Sequence, residues 1–269
     1  MLLPESFLFT QQNLQEYNDC HRRFYLREIR NIDWPAIESE PVREQEALIL
    51  LGSQFHLLCQ QFFSGIPVED LDTQITHPEV KIWWQNFLQL KLSPAQGILL
   101  PEKLITIPFL DFRLAAKYDL LYLKPNGTIT IYDWKTSKNQ PQRKFLFKRL
   151  QSVVYPFVAA VFNHSTSIEK RVHADQIDMI YWYTAFPDLQ IQFQYSTGQF
   201  QTDQEMLEKL MIEIASKGEA EFFLTDDEKS CSYCRYRSLC SRGICAGVLD
   251  QKELGDPSSD PFDIDFDTL

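Results

Sequence analysis

The spacing of hydrophobic positions predicts a protein that combines helices and strands. Helical spacing of apolar residues predicts five helices, at about residues 10–29, 44–63, 78–92, 143–162 and 203–218. Alternating or continuous apolar runs predict five strands, at residues 103–110, 112–123, 128–134, 176–185 and 189–196. Pro156 lies inside the fourth helix and predicts a kink or a local break there. We expect one α/β domain over residues 1–249, with a mixed sheet flanked by helices.

The distribution of charge is more informative than the net charge of −11. Residues 250–269 hold seven Asp or Glu and one Lys, which predicts an acidic, flexible tail. Residues 135–149 carry six Lys or Arg and no acid. A mildly acidic body with a basic patch of this kind is compatible with binding a phosphate backbone at selected places.

Sequence features also bear on location and cysteine chemistry. No apolar run reaches the roughly 18 residues that a membrane span needs, and the first residues lack the basic region of a secretory signal. We therefore expect a cytoplasmic protein without membrane association. Four of the six cysteines lie within residues 231–245. Because disulfides are uncommon in that setting, this crowding indicates metal binding.

The third predicted strand ends on an acid and a base that share one face. Asp133 and Lys135 are two positions apart, so their side chains point the same way. A surface salt bridge, worth ~0–1 kcal/mol, is one explanation of the pair. Asp119 and Asp133 lie seven residues to either side of Asn126, in the turn that joins the second and third strands, so they should face each other across a hairpin.

Two facing aspartates repel each other unless a divalent cation lies between them. Lys135 would then orient a water molecule or stabilise the negative charge of a reacting phosphate. This combination indicates metal-assisted hydrolysis of a phosphodiester bond.

Two weaker spacings accompany this pair. Gly52 and His56 are four apart on the second helix, and Gln151 and Tyr155 are four apart on the fourth. A single His on an apolar helix is often a satisfied core residue, and the Gln/Tyr spacing arises by chance in many chains. Neither spacing is informative without the others.

In their order along the chain, these motifs resemble a known family. Gly52-x-x-x-His56, Asp119, Asp133-x-Lys135 and Gln151-x-x-x-Tyr155 are similar to the RecB-type branch of the PD-(D/E)XK nucleases. The cysteines resemble those of the AddB-type and CRISPR-associated RecB-like exonucleases, in which four cysteines hold one [4Fe–4S] cluster. The resemblance spans residues 14–240.

The resemblance implies a restriction-endonuclease-like core whose two ends are joined by the cluster. It implies Mg²⁺ or Mn²⁺ ligands at His56, Asp119, Asp133 and the backbone carbonyl of Trp134. Lys135 would position the attacking water, while Gln151 and Tyr155 would steady the metal site or the DNA strand.

The same resemblance assigns two further sets of residues. The cluster ligands are Cys20, Cys231, Cys234 and Cys240, which leaves Cys245 without a role and Cys59 as a small buried apolar residue. The expected contacts to DNA phosphates are Lys138, Arg143, Lys144, Lys148 and Arg149.

We therefore expect a metal-dependent DNA nuclease that acts as an exonuclease in DNA repair, recombination or CRISPR adaptation. Its substrate should have single-stranded character, and a helicase or a CRISPR adaptation protein is an expected partner. Two alternatives stay open. In the first, the chain is a non-cutting iron–sulfur subunit that binds DNA ends within a helicase–nuclease assembly. In the second, it is an enzyme whose cysteines bind zinc and which acts on another substrate such as RNA.

Overall fold

The computed structural model describes residues 2–4, 6–35, 40–92, 97–162 and 173–243. The predicted acidic tail at residues 250–269 and Cys245 lie outside the described residues. The strands of the described part are β1 (Leu8–Thr10), β2 (Ile98–Phe109), β3 (Phe112–Leu123), β4 (Ile129–Lys135), β5 (Ile177–Tyr183) and β6 (Phe186–Gln194). Its helices are α1 (Gln11–Asp19), α2 (His21–Phe24), α3 (Glu40–Phe63), α4 (Val68–Gln74), α5 (Pro78–Gln89), α6 (Arg143–Leu146), α7 (Leu150–Val161) and α8 (Thr197–Ser216).

All six strands belong to one mixed sheet. Its strand order is β1-β3-β4-β5-β6, and β2 pairs with β3. The β1–β3 and β4–β5 pairs are parallel, whereas β2–β3, β3–β4 and β5–β6 are antiparallel. The predicted α/β fold with a mixed sheet is thus confirmed. Strand β1 has only three residues, too few for a recognisable alternation, and the sequence did not predict it.

The sheet is covered by helices on both faces, because neighbouring residues of its central strands point in opposite directions. Leu121 and Ile131 join a core with α7 and α8. Leu120, Trp134 and Trp182 join a second core with α3 and α5. None of the described helices combines the length and the apolarity needed to cross a membrane.

The predicted helix at residues 10–29 is interrupted at Cys20. This residue is extended, with φ −161° and ψ 107°, so it ends α1. Its Sγ then accepts a hydrogen bond from the Arg23 N–H at 3.4 Å and caps α2. A π-helical turn over Tyr25–Ile29 follows. The break turns the Cys20 thiol away from a regular helix face and into a helix junction.

The predicted helix at residues 143–162 is also divided, but not at its proline. Residues 147–149 separate α6 from α7, and α7 continues through Pro156 without a break. Proline removes one backbone donor from the helix. Tyr155, Phe157 and Val158 around it are all buried, so packing holds this part of α7 in place.

Candidate active site

The β3–β4 hairpin brings the two predicted aspartates together. Leu120 pairs with Tyr132, and the same register places Asp119 opposite Asp133 one step further along. The Asp119 carboxylate accepts a hydrogen bond from the Trp134 N–H at 2.7 Å. The two aspartates thus lie together at the same end of the hairpin.

Asp133 and Lys135 form a buried ion pair, not a surface salt bridge. Lys135 Nζ lies 3.2 Å from Asp133 Oδ2, and the two residues are 5% and 2% exposed. Gln151, on the first turn of α7, donates a hydrogen bond from Nε2 to Asp133 Oδ1 at 2.6 Å. Burying two charges costs several kcal/mol per ion before any pairing, and the ion pair and the Gln151 hydrogen bond offset part of this cost.

A second group of ligand atoms lies beside this pair. Atoms of His56, Glu102 and Asp119 all lie within 4.8 Å of one another, and among the described residues only this group of three or more His, Cys, Asp or Glu ligands does so. His56 Nδ1 lies 3.3 Å from Asp119 Oδ1. One nitrogen and several carboxylate oxygens are a donor set that suits Mg²⁺ or Mn²⁺.

Glu102 is the functional residue that the sequence did not reveal. It lies in β2, at the position that the register with β3 places opposite Asp119. Its φ of +49° is in the left-handed region. For a residue other than glycine this conformation costs about 1–3 kcal/mol and is concentrated at functional sites. The available signal was an acid directly before the predicted strand at residues 103–110.

The charges of this group raise two pKa values. Burial is the largest influence and lowers the pKa of His56, but the charge and hydrogen bond of Asp119, together with the charges of Glu102 and Asp133, raise it above its usual value. Burial and the charge of Asp119 raise the pKa of Glu102, and Lys117, 3.1 Å away, only partly offsets them. Without a metal ion, burial and the neighbouring Asp119 carboxylate therefore make the charged form of Glu102 costly in the folded chain.

We expect Glu102→Gln to stabilise the metal-free protein and to weaken its response to metal. A raised pKa means that the folded chain holds the proton more tightly than the unfolded chain, so stability falls as pH rises through that pKa. Above that pKa, Glu102→Gln removes the free-energy cost of burying the Glu102 charge. At pH 8 in EDTA, differential scanning fluorimetry should show a melting temperature higher by about 2–4 °C.

The same measurement with Mn²⁺ should show a smaller metal-induced gain for Glu102→Gln than for the natural chain. Glu205→Gln is the matched control, because Glu205 is exposed on α8. An undiminished Mn²⁺ gain in Glu102→Gln would exclude Glu102 from the metal site.

Tyr155 forms part of the wall of the site. Burial, followed by the charges of Asp133 and Asp119, raises its pKa well above the usual value, so the hydroxyl stays protonated at neutral pH. The Tyr118 hydroxyl donates to the Tyr155 carbonyl at 2.9 Å, and the two rings are 5.1 Å apart. Tyr155 can therefore donate a hydrogen bond but cannot act as a base.

These residues line one open pocket together with the start of α1. Besides His56, Glu102 and Asp119, its lining includes Thr10, Gln11, Gln12, Leu104, Asp133, Trp134, Lys135, Gln151 and Tyr155. All of the predicted metal ligands and catalytic residues thus meet in one place. The backbone N–H of Trp134 donates to Asp119 at this pocket, whereas the indole of Trp134 is buried in the second core.

The predicted phosphate-binding residues differ in their contacts and in their exposure to solvent. Lys138 Nζ pairs with Glu79 at 2.7 Å. The Arg143 guanidinium donates to the Gln192 carbonyl and lies 4.4 Å from the centre of the Phe193 ring. The remaining three, of which two are exposed and one half-buried, are Lys144, Lys148 and Arg149.

The cysteines come together where the two ends of the described chain meet. The Arg22 N–H donates to the Phe223 carbonyl at 3.0 Å, and the Tyr236 hydroxyl donates to the Ile32 carbonyl at 2.9 Å. Burial raises the pKa of Cys234, and the thiols of Cys231 and Cys20 raise it further.

The fourth thiol belongs to the same group. Burial followed by the charge of Cys20 raises the pKa of Cys240, and Cys231 adds to this rise. Cys59 lies apart in the second core, where burial raises its pKa well above the usual value.

The spacing of the four thiols bears on which metal they suit. A tetrahedral zinc site with Zn–S bonds of about 2.3 Å needs its sulfurs roughly 4 Å apart. Among the described residues, no three cysteine sulfurs lie within 4.8 Å of one another. The described thiols thus do not have the spacing of a bound zinc ion, although four thiolates suit zinc and iron–sulfur clusters alike.

Comparison with known proteins identifies relatives of this architecture. The family model described as the PD-(D/E)XK nuclease superfamily matches residues 8–241. A solved structure from Eubacterium rectale, described as a candidate exonuclease, has a TM-score of 0.50 at 13% identity, with 85% of this chain and 87% of that chain covered. At this identity the likeness shows the fold alone.

A second solved structure, of the protein SSO0001, covers 88% of this chain and 87% of its own with 12% identity. Its TM-score is 0.37, and we base no argument on it. No curated protein matches the chain in sequence.

Proposed function

The chain belongs to the PD-(D/E)XK nuclease superfamily, and we propose that it is a metal-dependent deoxyribonuclease that acts as an exonuclease. Membership in the superfamily means a nuclease that hydrolyses phosphodiester bonds of nucleic acid with the help of divalent metal ions. The observation that carries the proposal is the buried Asp133–Lys135 pair, which opens into the same pocket as His56, Glu102 and Asp119.

The residues of the pocket have different roles in the proposed reaction. His56, Glu102, Asp119, Asp133 and the carbonyl of Trp134 would hold Mg²⁺ or Mn²⁺. The ion, when bound, supplies Lewis-acid stabilisation of the phosphate and acidifies a water molecule.

Lys135 would orient the attacking water and stabilise the negative charge that develops on the phosphate. Its Nζ lies in a buried setting, where such a charge interaction is much stronger than in water. Gln151 holds Asp133 in position through its 2.6 Å hydrogen bond, and the protonated Tyr155 hydroxyl is available to a phosphate oxygen.

We further propose that Cys20, Cys231, Cys234 and Cys240 hold a [4Fe–4S] cluster. The mutual influence of the thiols on their pKa values, which requires them to lie near one another, supports it. The Arg242 guanidinium approaches Cys231 Sγ at 3.7 Å and is suited to offset the negative charge of thiolates. The cluster would join the two ends of the described chain.

The remaining parts of the proposal rest on the family resemblance. They are a substrate with single-stranded character, a helicase or CRISPR adaptation protein as partner, a pathway in repair, recombination or CRISPR adaptation, and a cytoplasmic location. A non-cutting role within a helicase–nuclease assembly is disfavoured, because Asp119, Asp133 and Lys135 are all present and lie together.

A digest of end-labelled nucleic acids tests this proposal directly. Single-stranded DNA, double-stranded DNA and RNA of the same sequence are incubated with Mg²⁺, Mn²⁺ or EDTA. We expect DNA to be shortened progressively from an end with either metal and to stay intact in EDTA. Cleavage of RNA alone, or of no substrate under any condition, would overturn the proposed activity.

A further inference from the structure

Next to the active site, on the other side of α7, lies an exposed aromatic surface. Phe147 is 52% exposed, in the break between α6 and α7. Its ring centre is 6.0 Å from that of Phe193 on β6, at an angle of 38° between the two rings. These two rings and Arg143 are called the aromatic platform below.

Arg143 and Tyr181 both pack against the Phe193 ring of the platform. The Arg143 guanidinium lies 4.4 Å from the centre of the Phe193 ring, and the Tyr181 ring meets the same ring edge-on at 6.0 Å. Phe147 is thus the exposed ring of a group in which Phe193 is packed between Arg143 and Tyr181. It borders a shallow pocket lined by Phe147, Ser152, Val153, Phe193, Tyr195 and Gln199.

The charge around the platform suits a nucleic acid strand. Residues 135–149 contain no acid, and Lys144 and Lys148 are exposed on either side of Phe147. The carboxylate that contacts the pocket lining through Tyr195 and Gln199 is Asp203, which is 2% exposed and hidden from a ligand. An exposed aromatic ring between cations binds a nucleobase by stacking and the adjoining phosphates by charge.

The platform is also connected to the catalytic residues. Ser152 Oγ lies 2.8 Å from the Tyr181 hydroxyl. The Tyr181 ring in turn lies 6.0 Å from Lys135 Nζ. Consecutive residues of α7 also line the two sites, since Gln151 borders the active site and Ser152 borders the pocket beside Phe147.

We propose that Phe147, supported by Phe193 and Arg143, stacks against an unpaired nucleobase of the strand that occupies the active site. The inference rests on the proposed nuclease function and deepens it, because a paired base within a duplex cannot offer its face to Phe147. The platform thus selects DNA with single-stranded character.

Fluorescence anisotropy with a labelled oligo-dT and an abasic oligonucleotide of equal length, in EDTA, tests this proposal. Both ligands carry the same phosphates, and only oligo-dT can stack. We expect Phe147→Ala to weaken oligo-dT binding about tenfold, as loss of one stacked base does, and to leave the abasic ligand nearly unaffected. Phe147→Trp should restore the preference for oligo-dT.

Phe223→Ala is the matched control, because Phe223 is a 64% exposed phenylalanine in the segment that packs against α2. It should bind both ligands as the natural chain does. Unchanged oligo-dT binding by Phe147→Ala, or an equal loss of affinity for both ligands, would overturn the proposed stacking of Phe147 on a nucleobase. A natural chain that cuts no DNA would overturn the nuclease proposal instead and would leave the anisotropy comparison valid.

Discussion

Lys135→Ala should lower DNA cleavage by roughly a thousandfold or more, while the protein still folds and binds Mn²⁺. The expected size follows from the loss of one preorganised charge at the reacting phosphate, which typically costs 10²–10³ in rate, together with the loss of a group that orients the water. The substitution leaves Asp133 without its 3.2 Å partner, but a divalent ion can neutralise that carboxylate. Cleavage of end-labelled DNA and calorimetric titration with Mn²⁺ measure the two effects separately.

Two comparisons make the Lys135 result specific. Lys209→Ala removes an exposed lysine from α8 and should leave both readouts unchanged. Asp133→Asn should lose cleavage and in addition weaken Mn²⁺ binding. It should also destabilise the metal-free protein by about 3–5 kcal/mol, because it removes the carboxylate that lies 3.2 Å from the buried Lys135 charge. Cleavage by Lys135→Ala within tenfold of the natural rate would show that Lys135 takes no part in the reaction.

Cys20→Ala should lose the iron and much of the stability of the folded chain. Cys20 lies 211 positions before Cys231, so a cluster bound by both closes a very long loop. Closure of a loop of that length stabilises a fold by ~5 kcal/mol as an upper figure, which is comparable with the whole stability of a domain. Protein purified without oxygen should be brown, absorb broadly near ~400 nm and contain about four irons. Denaturant unfolding of the natural chain and of Cys20→Ala measures the loss.

The other cysteines provide internal controls for this result. Cys231→Ala, Cys234→Ala and Cys240→Ala should behave like Cys20→Ala, whereas Cys59→Ala should keep the colour and the iron, because Cys59 is packed in the second core. Cys245→Ala should also keep both. A colourless, active protein with one tightly bound zinc would refute the cluster and leave the nuclease proposal intact.

Much of the fold could be predicted because its signals are local. The apolar alternation of residues 112–123 and 128–134 and the turn at Asn126-Gly127 predicted a hairpin, and its symmetry placed Asp119 opposite Asp133. Both follow from the two-residue period of a strand and from turn geometry, which involve neighbours in sequence. The mixed sheet and its flanking helices follow from the same periodicities.

Where prediction failed, contacts between distant segments decided the result. The long first helix breaks at the extended Cys20, which lies near Cys231 and Cys234 of a distant segment. The fourth helix continues through Pro156 because buried neighbours on α7 hold it, although local propensity predicts a break.

The sequence by itself determined the order of the five longer strands and the five predicted helical regions, the shared face of Asp133 and Lys135, and the opposition of Asp119 and Asp133. Only the tertiary structure decided that Glu102 joins His56 and Asp119, that Gln151 binds Asp133, and that the Lys135 charge is buried. The physical reason is the distance along the chain between the residues that decide each feature. Strand period and turn type are set by adjacent residues, whereas burial and ligand geometry arise when elements far apart in the chain pack against one sheet.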